Sequence, residues 1–227
     1  MQRKATSRRE RPAKSALSRA AVVKAALSIM KKEGLEKVTM RRIAAALETG
    51  AASLYVYVRD TRDLHAQLLD ALVVDLPAPK PGPNWRRDLG QVVEAFLALL
   101  LRYPEIARLA MGPLGASFGP GSLRLLDTIA GLLLEGGADA RAASWGVDLV
   151  LAYAVATAVE QAGRDEGGAS DMAGIRQLLE SVNAAKYPHL AKLGAEVVSG
   201  EGLERFRWGL DVLLNGILGP ANSVVHE

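Results

Sequence analysis

The sequence predicts an all-α protein, with an N-terminal three-helix helix-turn-helix domain, a larger helical domain after it, and about ten helices in total. Composition is the first reason, because 49% of the 227 residues are hydrophobic while only 5% are aromatic. The apolar residues are mostly Ala and Leu, which favour helices. Spacing is the second reason, since apolar residues recur three and four positions apart without a convincing run of alternating β-branched residues. The third is a Pro-rich stretch at 77–84 that no helix crosses, which divides the chain.

The first predicted helix follows a basic, polar arm at residues 1–16 that we expect to be disordered. Ser18 is positioned to cap this helix and Gly34 to end it. Its buried face is formed by residues at helical spacing, namely Val23, Leu27 and Met30. The arm either adds phosphate or minor-groove contacts, or is a solubilising tail, or reflects a start codon assigned upstream.

Residues 39–64 contain two short amphipathic segments separated by a break. We predict helices over about 39–47 and 51–58, with Gly50 in the turn between them. Their core positions are apolar: Ile43, Ala44, Leu47, Leu54 and Val58. The second helix opens with small residues that can approach the floor of a DNA groove, and hydroxyls and cations suited to phosphates follow. An ordinary helical hairpin with a solvated basic face is the alternative for the same spacing.

Seven further helices are predicted after the helix at 51–58. The fourth is capped by Asp60 or Thr61 and carries three leucines into the core, namely Leu64, Leu68 and Leu72. The others cover about 85–102, 104–111, 122–134, 139–163, 171–185 and 200–218. A Gly-rich stretch at 112–122 is predicted to be a flexible loop.

Charge is distributed unevenly along the chain. Residues 1–62 contain 15 Lys and Arg against 5 Asp and Glu, whereas residues 63–227 contain 13 against 20. The overall formal charge of +3 therefore hides a basic first quarter on an acidic remainder. This asymmetry is typical of a polyanion-binding module, so it favours DNA binding over the simple hairpin.

Residues 18–64 resemble the DNA-binding domain of the tetracycline-repressor (TetR) family of bacterial transcription regulators. The residues that carry the resemblance are Ala25-Ala26-Leu27, Gly34-Leu35, 38–44, Leu54-Tyr55, Tyr57-Val58-Arg59 and Asp63-Leu64. Later residues are similar to the C-terminal domain of the tetracycline-repressor subgroup: Trp85-Arg86, Tyr103-Pro104, Tyr187-Pro188, Leu190 and the stretch 206–216. The organisation this implies is an arm at 1–16, a DNA-binding domain at 17–62, a connecting helix at 63–76, a linker at 77–84, and a ligand-binding and dimerisation domain at 85–227.

The resemblance and the residue types together predict a set of DNA-contacting residues: Thr39, Arg41, Arg42, Ala51, Ala52, Ser53, Tyr55, Tyr57, Arg59, Thr61 and Arg62. Thr39 is expected to cap the second helix and to face a phosphate, and Arg41 to reach a phosphate or a guanine edge. The first residues of the third helix are where the family reads bases. Here they are small, so we expect modest direct readout and an affinity carried mostly by phosphates.

Several positions depart from the family pattern. Glu48 and Thr49 stand where a Gly and an apolar residue are usual, so Gly50 is expected to supply the unusual backbone angle of the turn. Tyr57 replaces the family's recognition-helix His. Thr61 replaces its phosphate-binding Lys, for which Arg62 can compensate.

The resemblance also implies an effector pocket between the helices at about 85–102, 122–134 and 139–163. Its candidate lining is Phe96, Leu100, Tyr103, Met111, Phe118, Leu126, Trp145, Asp148, Leu149 and Tyr153. This composition favours an apolar, aromatic ligand, although the same residues suit an ordinary core. Asp148 is expected to bond a ligand or to pair with an Arg across a dimer interface. The family's His before Pro is Tyr103 here, so neither tetracycline nor a metal is predicted, and no cofactor.

Two helices are predicted to build a homodimer. Apolar residues on the last helix step by three and four, as in a short coiled-coil seam: Leu203, Phe206, Leu210, Leu213 and Ile217. The helix at 139–163 is apolar on most faces and adds Ala152, Ala156 and Val159. A helix central to one protomer's core is the alternative. The resemblance favours a four-helix interface between two copies, which suits a palindromic operator.

Other function classes are disfavoured. The chain has no Cys, no nucleophile elbow and no metal-ligand spacing, so no catalytic residue is predicted and the protein is not expected to be an enzyme. Its longest uncharged apolar run, 149–159, is too short for a bilayer, so no membrane partner and a cytoplasmic location are expected. We predict a transcriptional repressor that binds a double-stranded DNA operator as a homodimer and is released by a small-molecule effector. A regulator without an effector is the alternative.

Overall fold

The computed structural model describes residues 17–110, 119–167 and 169–219. The predicted arm at 1–16 and the candidate pocket residues Met111 and Phe118 lie outside them. The chain divides into two compact units, Met1–Leu64 and His65–Glu227. The division therefore falls ahead of the Pro-rich segment that we expected to separate the domains.

The first unit is a small helical domain. Its elements are α1 (Arg19–Glu33), a 3-10 helix (Leu35–Lys37), α2 (Met40–Ala46), α3 (Ala51–Leu54) and the first turn of α4 (Thr61–Val73). Its buried side chains include Val22, Ala26, Ile29, Met30, Leu35, Val38, Ile43, Ala44, Leu54 and Val58. Of the predicted stripe of α1, Met30 is buried, whereas Val23 and Leu27 are half-buried and the residues before them, Val22 and Ala26, are buried instead.

Local capping explains where these helices begin and end. The Ser18 hydroxyl accepts from the Ala21 N–H and the Thr39 hydroxyl from the Arg42 N–H, each at 3.2 Å. Gly34 ends α1 with a φ of 93°, as predicted. α3 is a single turn, shorter than the predicted 51–58. The run of aromatic and β-branched residues that follows disfavours helix, and residues 55–57 form a turn.

The second unit contains the rest of α4 and seven further helices. These are α5 (Trp85–Arg102), α6 (Pro104–Ala110), α7 (Pro120–Glu135), α8 (Ala140–Gly167), α9 (Ala169–Glu180), α10 (Pro188–Leu193) and α11 (Gly202–Ile217), with a 3-10 helix at Gly194–Val198. α7 begins inside the predicted loop, because Pro120 suits a first helical turn. The six-residue α10 was not predicted.

α8 is the central helix of the second unit. It packs against α5, α6, α7 and α11, and its buried residues include Val147, Val150 and Ala154. Over Ala140–Arg164 it is also long and apolar enough to cross a membrane, with a mean hydropathy of 1.5. The same composition is expected of a core helix, and 44% of the 18-residue segment that meets this criterion is buried.

Candidate nucleic-acid interface and effector region

The turn between α2 and α3 is built around Glu48. This residue has a φ of 50°, in the left-handed region, whereas Gly50 is extended with a φ of −79°. The N–H of Thr49 donates to the Ala44 carbonyl and the N–H of Glu48 to the Ala45 carbonyl, at 2.9 and 3.2 Å. This pair of bonds is the Schellman arrangement, in which the left-handed residue directly follows the helix cap. The expectation that Gly50 supplies the unusual angle is therefore wrong. The cap of α2 is Leu47, so the left-handed residue that follows the cap is Glu48, two positions before Gly50.

The predicted cationic contacts fall into two groups. Arg42 is bound to Glu33 across α1 and α2, with its Nη2 at 2.5 and 2.6 Å from the two carboxylate oxygens. Arg59 lies 3.8 Å from the Asp63 carboxylate. Arg41 and Arg62 are exposed and have no hydrogen-bond or ion-pair partner within the part of the chain that the structure describes. Arg41 and Arg62 are thus the cations of this set that are most available to phosphates.

The junction between α3 and α4 is held by two carboxylates. Asp60 accepts from the Asp63 N–H, and Asp63 in turn accepts from the Arg59 N–H, both at 2.8 Å. The side chain of Asp60 therefore caps α4, as one of the two predicted alternatives has it. Asp63 is 7% exposed. These two successive hydrogen bonds fix the backbone between the turn after α3 and the start of α4.

Two tyrosines of the same short segment have different surroundings. The Tyr57 hydroxyl donates to the Leu17 carbonyl at 2.7 Å, next to the cap of α1. Tyr55 is 56% exposed. Tyr57 therefore ties the first helix to the segment after α3, and its hydroxyl is already committed within the unit. Tyr55 is accessible, and its role as a DNA contact stays a prediction.

The start of α3 is exposed where base readout was expected. Ala52 and Ser53 are exposed, and Ala51 is half-buried. Val56 was not among the predicted contacts, yet it is 78% exposed on the turn that continues α3. Its position could have been inferred from the sequence, because it lies between the core residues Leu54 and Val58. Thr39 and Thr61, the remaining predicted contacts, are also exposed.

The candidate effector residues separate into an inner and an outer group. Phe96 and Leu100 are buried on α5, Leu126 is half-buried on α7, and these two helices pack together. Tyr103, after α5, is also half-buried. Trp145 and Leu149 are 66% and 45% exposed, and Asp148 is exposed as well. These three α8 residues, which were expected to line a pocket, therefore lie on the surface.

Tyr153 faces α11 rather than a pocket between α5 and α7. Its ring stacks on Phe206, with centroids 5.1 Å apart and planes 3° from parallel. Its hydroxyl lies 3.3 Å from the Arg205 carbonyl and 3.4 Å from that of Phe206. A Cβ atom at Gly209 would overlap this hydroxyl, so the glycine permits the close approach of α8 and α11. Burial raises the pKa of Tyr153, which keeps the hydroxyl protonated as a donor.

Two residues of the predicted seam of α11 face the protomer's own core, whereas Leu213 and Ile217 line an exposed groove. Phe206 and Leu210 are 1% and 4% exposed, so they are not available to a partner. Leu213 and Ile217 are half-buried, and Leu203 is 46% exposed. A three-four repeat shows that a helix has an apolar face but does not say which neighbour covers it, which is why this expectation differs from the structure.

A different apolar face lies exposed on α8 and α11. On α8 it follows a helical spacing of four, three and four residues, through Trp145, Leu149, Ala152 and Ala156. On α11 it includes Trp208 and Val212, which are 72% and 49% exposed. A groove of about 600 Å³ runs along it, lined by Trp145, Leu149, Val212 and Gly216 among others. We refer to these six apolar side chains, Trp145, Leu149, Ala152, Ala156, Trp208 and Val212, as the α8–α11 face. Val159, the remaining predicted interface residue, is half-buried.

Two ion pairs fasten α11 to α5. Arg86 of α5 binds Asp211 at 3.0 Å and Asn215 at 2.8 Å, while Arg207 of α11 binds the Glu94 carboxylate at 2.8 and 2.7 Å. The hydrogen bond from Arg207 holds the pKa of Glu94 below its ordinary range. The helix that carries part of the α8–α11 face is therefore linked to a helix that carries the inner candidate residues.

Known families and proteins share this architecture. The model for bacterial regulatory proteins of the tetR family matches residues 22–68, and that for the tetracyclin repressor-like C-terminal domain matches 78–219. The transcriptional repressor DrrR1 of Streptomyces coeruleorubidus is 31% identical over 208 residues, which cover 86% of this chain and 75% of DrrR1.

Solved structures extend the likeness to three dimensions. A Streptomyces transcription regulator is 40% identical, with a TM-score of 0.75 over 91% of this chain and 97% of its own. The TetR-family protein ActR of Streptomyces coelicolor, in complex with actinorhodin, is 28% identical, with a TM-score of 0.79 over 91% of this chain and all of its own.

Proposed function

Because the chain belongs to the TetR family of bacterial transcription regulators, we propose that it represses transcription by binding a palindromic operator as a homodimer. A small, mostly apolar effector releases it. The observation that carries this proposal is the exposed helix-turn-helix surface, where Arg41, Arg62 and Tyr55 are accessible around the start of α3.

Phosphate contacts supply most of the affinity in this proposal. Arg41 and Arg62 present uncommitted guanidinium groups, and the Thr39 cap leaves the N-terminus of α2 exposed beside Arg41. Helix N-termini and guanidinium groups both bind phosphate oxygens. Arg42 and Tyr57 act indirectly, because their ion pair and hydrogen bond hold α1 against the reading elements.

The α8–α11 face is the surface we assign to the homodimer. Two large aromatic side chains on it are mostly exposed in the single chain, and aromatic anchors of this kind dominate protein interfaces. A two-fold dimer presents two recognition helices to successive major grooves, about 34–36 Å apart. The operator is then a palindrome whose half-sites are spaced by one helical turn.

The effector is assigned to the second unit, near the inner candidates Phe96, Leu100 and Leu126. The complex of ActR with actinorhodin supports a small-molecule ligand for the related domain. Coupling between two sites typically amounts to about 1–3 kcal/mol, which is enough for partial release. α4 belongs to both units, so it is the element through which the coupling is proposed to run. We place this regulator, which is not an enzyme, in the cytoplasm.

A binding experiment tests the DNA-binding part of the proposal. The purified protein selects duplexes from a randomised pool, and its affinity for the selected duplex is measured by fluorescence anisotropy between 50 and ~200 mM salt. Arg41→Ala is expected to weaken binding to all sequences and to reduce the salt slope by about 1. Arg176→Ala, which removes an exposed cation from α9, is the matched control and leaves the slope unchanged. Failure to enrich any duplex contradicts the proposed function.

A second experiment tests effector control. Compounds with aromatic and apolar character are screened for displacement of the selected duplex, and hits are tested against Leu126→Trp, which places a larger side chain at a half-buried inner position. Release of wild type but not of this variant is expected. A protein that none of the screened compounds displaces supports the alternative, a regulator without a small-molecule effector.

A further inference from the structure

An apolar strip lies on the exposed side of α3 and of the turn that follows it. It consists of Ala52, Tyr55 and Val56, all exposed, and Val56 is the most exposed of the large hydrophobic side chains in the described residues at 78%. A single exposed apolar side chain is ordinary on a protein surface. Three of them within five positions, on the element expected to enter a DNA groove, need an explanation.

Residues 51–58 have an unusual chemistry for a base-reading segment. The sequence AASLYVYV contains no Arg, Lys, Asn, Gln, Asp or Glu. Bidentate hydrogen bonds to guanine come from Arg or Lys, those to adenine come from Asn or Gln, and Asp and Glu accept from cytosine, so this segment makes none of these contacts. Ser53 offers one hydroxyl, and the Tyr57 hydroxyl is committed to the Leu17 carbonyl. What the strip presents to a groove is mainly methyl groups and one aromatic ring.

The methyl group that the four bases present on the major-groove edge of DNA is the C5-methyl group of thymine, and apolar side chains contact it. The surroundings of the strip also favour DNA over an apolar protein partner. Arg41 and Arg62 lie on the helices before and after the strip in the same unit, and both guanidinium groups are uncommitted within the described residues. A surface that combines apolar side chains with unpaired cations is complementary to methyl groups flanked by phosphates.

We propose that Val56 reads thymine through its C5-methyl group, with Ala52 beside it, so that each operator half-site carries T·A pairs at these positions. Specificity in this segment then comes from methyl contacts and shape, and hydrogen bonding contributes through Ser53 and through Arg41 outside the strip. This inference rests on the proposed function, because it names the bases that the same surface recognises.

Replacing thymine by uracil tests the inference directly, since uracil pairs identically but lacks the methyl group. A duplex selected by the protein from a randomised pool is resynthesised with uracil at one thymine position at a time. At the positions read by Val56, uracil is expected to weaken wild-type binding about fourfold, the effect of one buried methyl group. Val56→Ala is expected to weaken binding to the thymine duplex by a similar factor and to be insensitive to uracil at those positions.

Controls separate this inference from the proposed function. Val74→Ala shortens an exposed valine in the second unit and is expected to leave both affinities unchanged. Circular dichroism of Val56→Ala is expected to match wild type, because so exposed a side chain contributes little to folding. If no duplex is selected, the proposed function fails. If a duplex is bound in a salt-dependent way but uracil has no effect at any position, or has the same effect in Val56→Ala as in wild type, methyl reading by Val56 is overturned while the regulator remains.

Discussion

Asp70 of α4 accepts a hydrogen bond of 2.7 Å from the backbone N–H of Ser122, in the first turn of α7. The N-cap of α7 is Gly119, which has no side chain, so a carboxylate from another helix takes the capping role. In the opposite direction, Arg124 of α7 donates to the carbonyls of Val74 and Leu76, just beyond the end of α4. Each helix thus satisfies backbone groups at the terminus of the other, and the end of α4 is fixed to the start of α7.

Removal of this cap is expected to destabilise the second unit. Asp70→Ala leaves the Ser122 N–H of α7 without its acceptor, which costs about 1 kcal/mol by analogy with other N-caps. Asp75→Ala is the matched control, because Asp75 is exposed just beyond the same helix. Thermal unfolding followed by circular dichroism measures both variants. Equal effects of the two substitutions would show that Asp70 does not act as a cap.

Glu48 is expected to be a source of strain in the helix-turn-helix. A side chain in the left-handed region costs about 1–2 kcal/mol relative to glycine, which is only partly offset by the greater chain entropy of glycine in the unfolded state. Glu48→Gly should therefore raise the free energy of unfolding by about 0.5–1 kcal/mol. Glu48→Gln keeps the Cβ atom and therefore the strain of the left-handed backbone, so it is the control. A glycine variant less stable than the glutamine variant contradicts this interpretation of the turn.

The two tyrosines after α3 are expected to respond differently to loss of their hydroxyl. Tyr57→Phe removes the bond to the Leu17 carbonyl and should lower the free energy of unfolding by about 1 kcal/mol. Tyr55→Phe should leave stability unchanged and weaken binding to the selected duplex about fivefold, the effect of one hydrogen bond. Denaturation and anisotropy measured on both proteins give the comparison. If Tyr55→Phe unfolds as readily as Tyr57→Phe, the division of roles is incorrect.

A charge on the α8–α11 face is expected to prevent dimer formation. Val212→Arg places a guanidinium group where the proposed two-fold interface excludes water, and burying it unpaired costs several kcal/mol. Light scattering coupled to size exclusion should then report a monomer. Leu123→Arg, on an exposed position of α7, should remain dimeric. A dimeric Val212→Arg protein would assign the interface to another surface.

The ion pair between Glu94 and Arg207 is expected to stabilise the protein in a pH-dependent way. The pKa of Glu94 is lowered in the folded chain, so its contribution is present above the unfolded-state pKa of about 4.3 and is lost as the pH falls through the folded value. Glu94→Gln should therefore unfold at a slightly lower temperature than wild type at pH 7. The difference should shrink below about pH 4. The exposed Glu105→Gln serves as the control, and a difference that persists in acid would rule out the charge as its cause.

Residues within four positions of one another were the predictable part of the structure. Ser18, Thr39 and Gly34 act as the caps that their types suggested, and Leu64, Leu68 and Leu72 are buried as their spacing indicated. The family resemblance could also be recognised from the sequence, because it depends on the order of residues along the chain and not on their contacts.

Contacts between residues far apart in the sequence were decided only by the tertiary structure. The three-four repeat on α11 marked Phe206 and Leu210 as apolar, but only the packing of α8 and α5 shows that they face inward and that Trp208 and Val212 face outward. In the same way, Arg42 and Tyr57 have side chains that can bind phosphates. In the folded chain, however, Arg42 binds Glu33 and Tyr57 donates to the Leu17 carbonyl. Helix caps depend on backbone groups a few residues away and are therefore encoded locally. The partner of a side chain depends on which helices meet, and that is settled by the burial of all their apolar faces together.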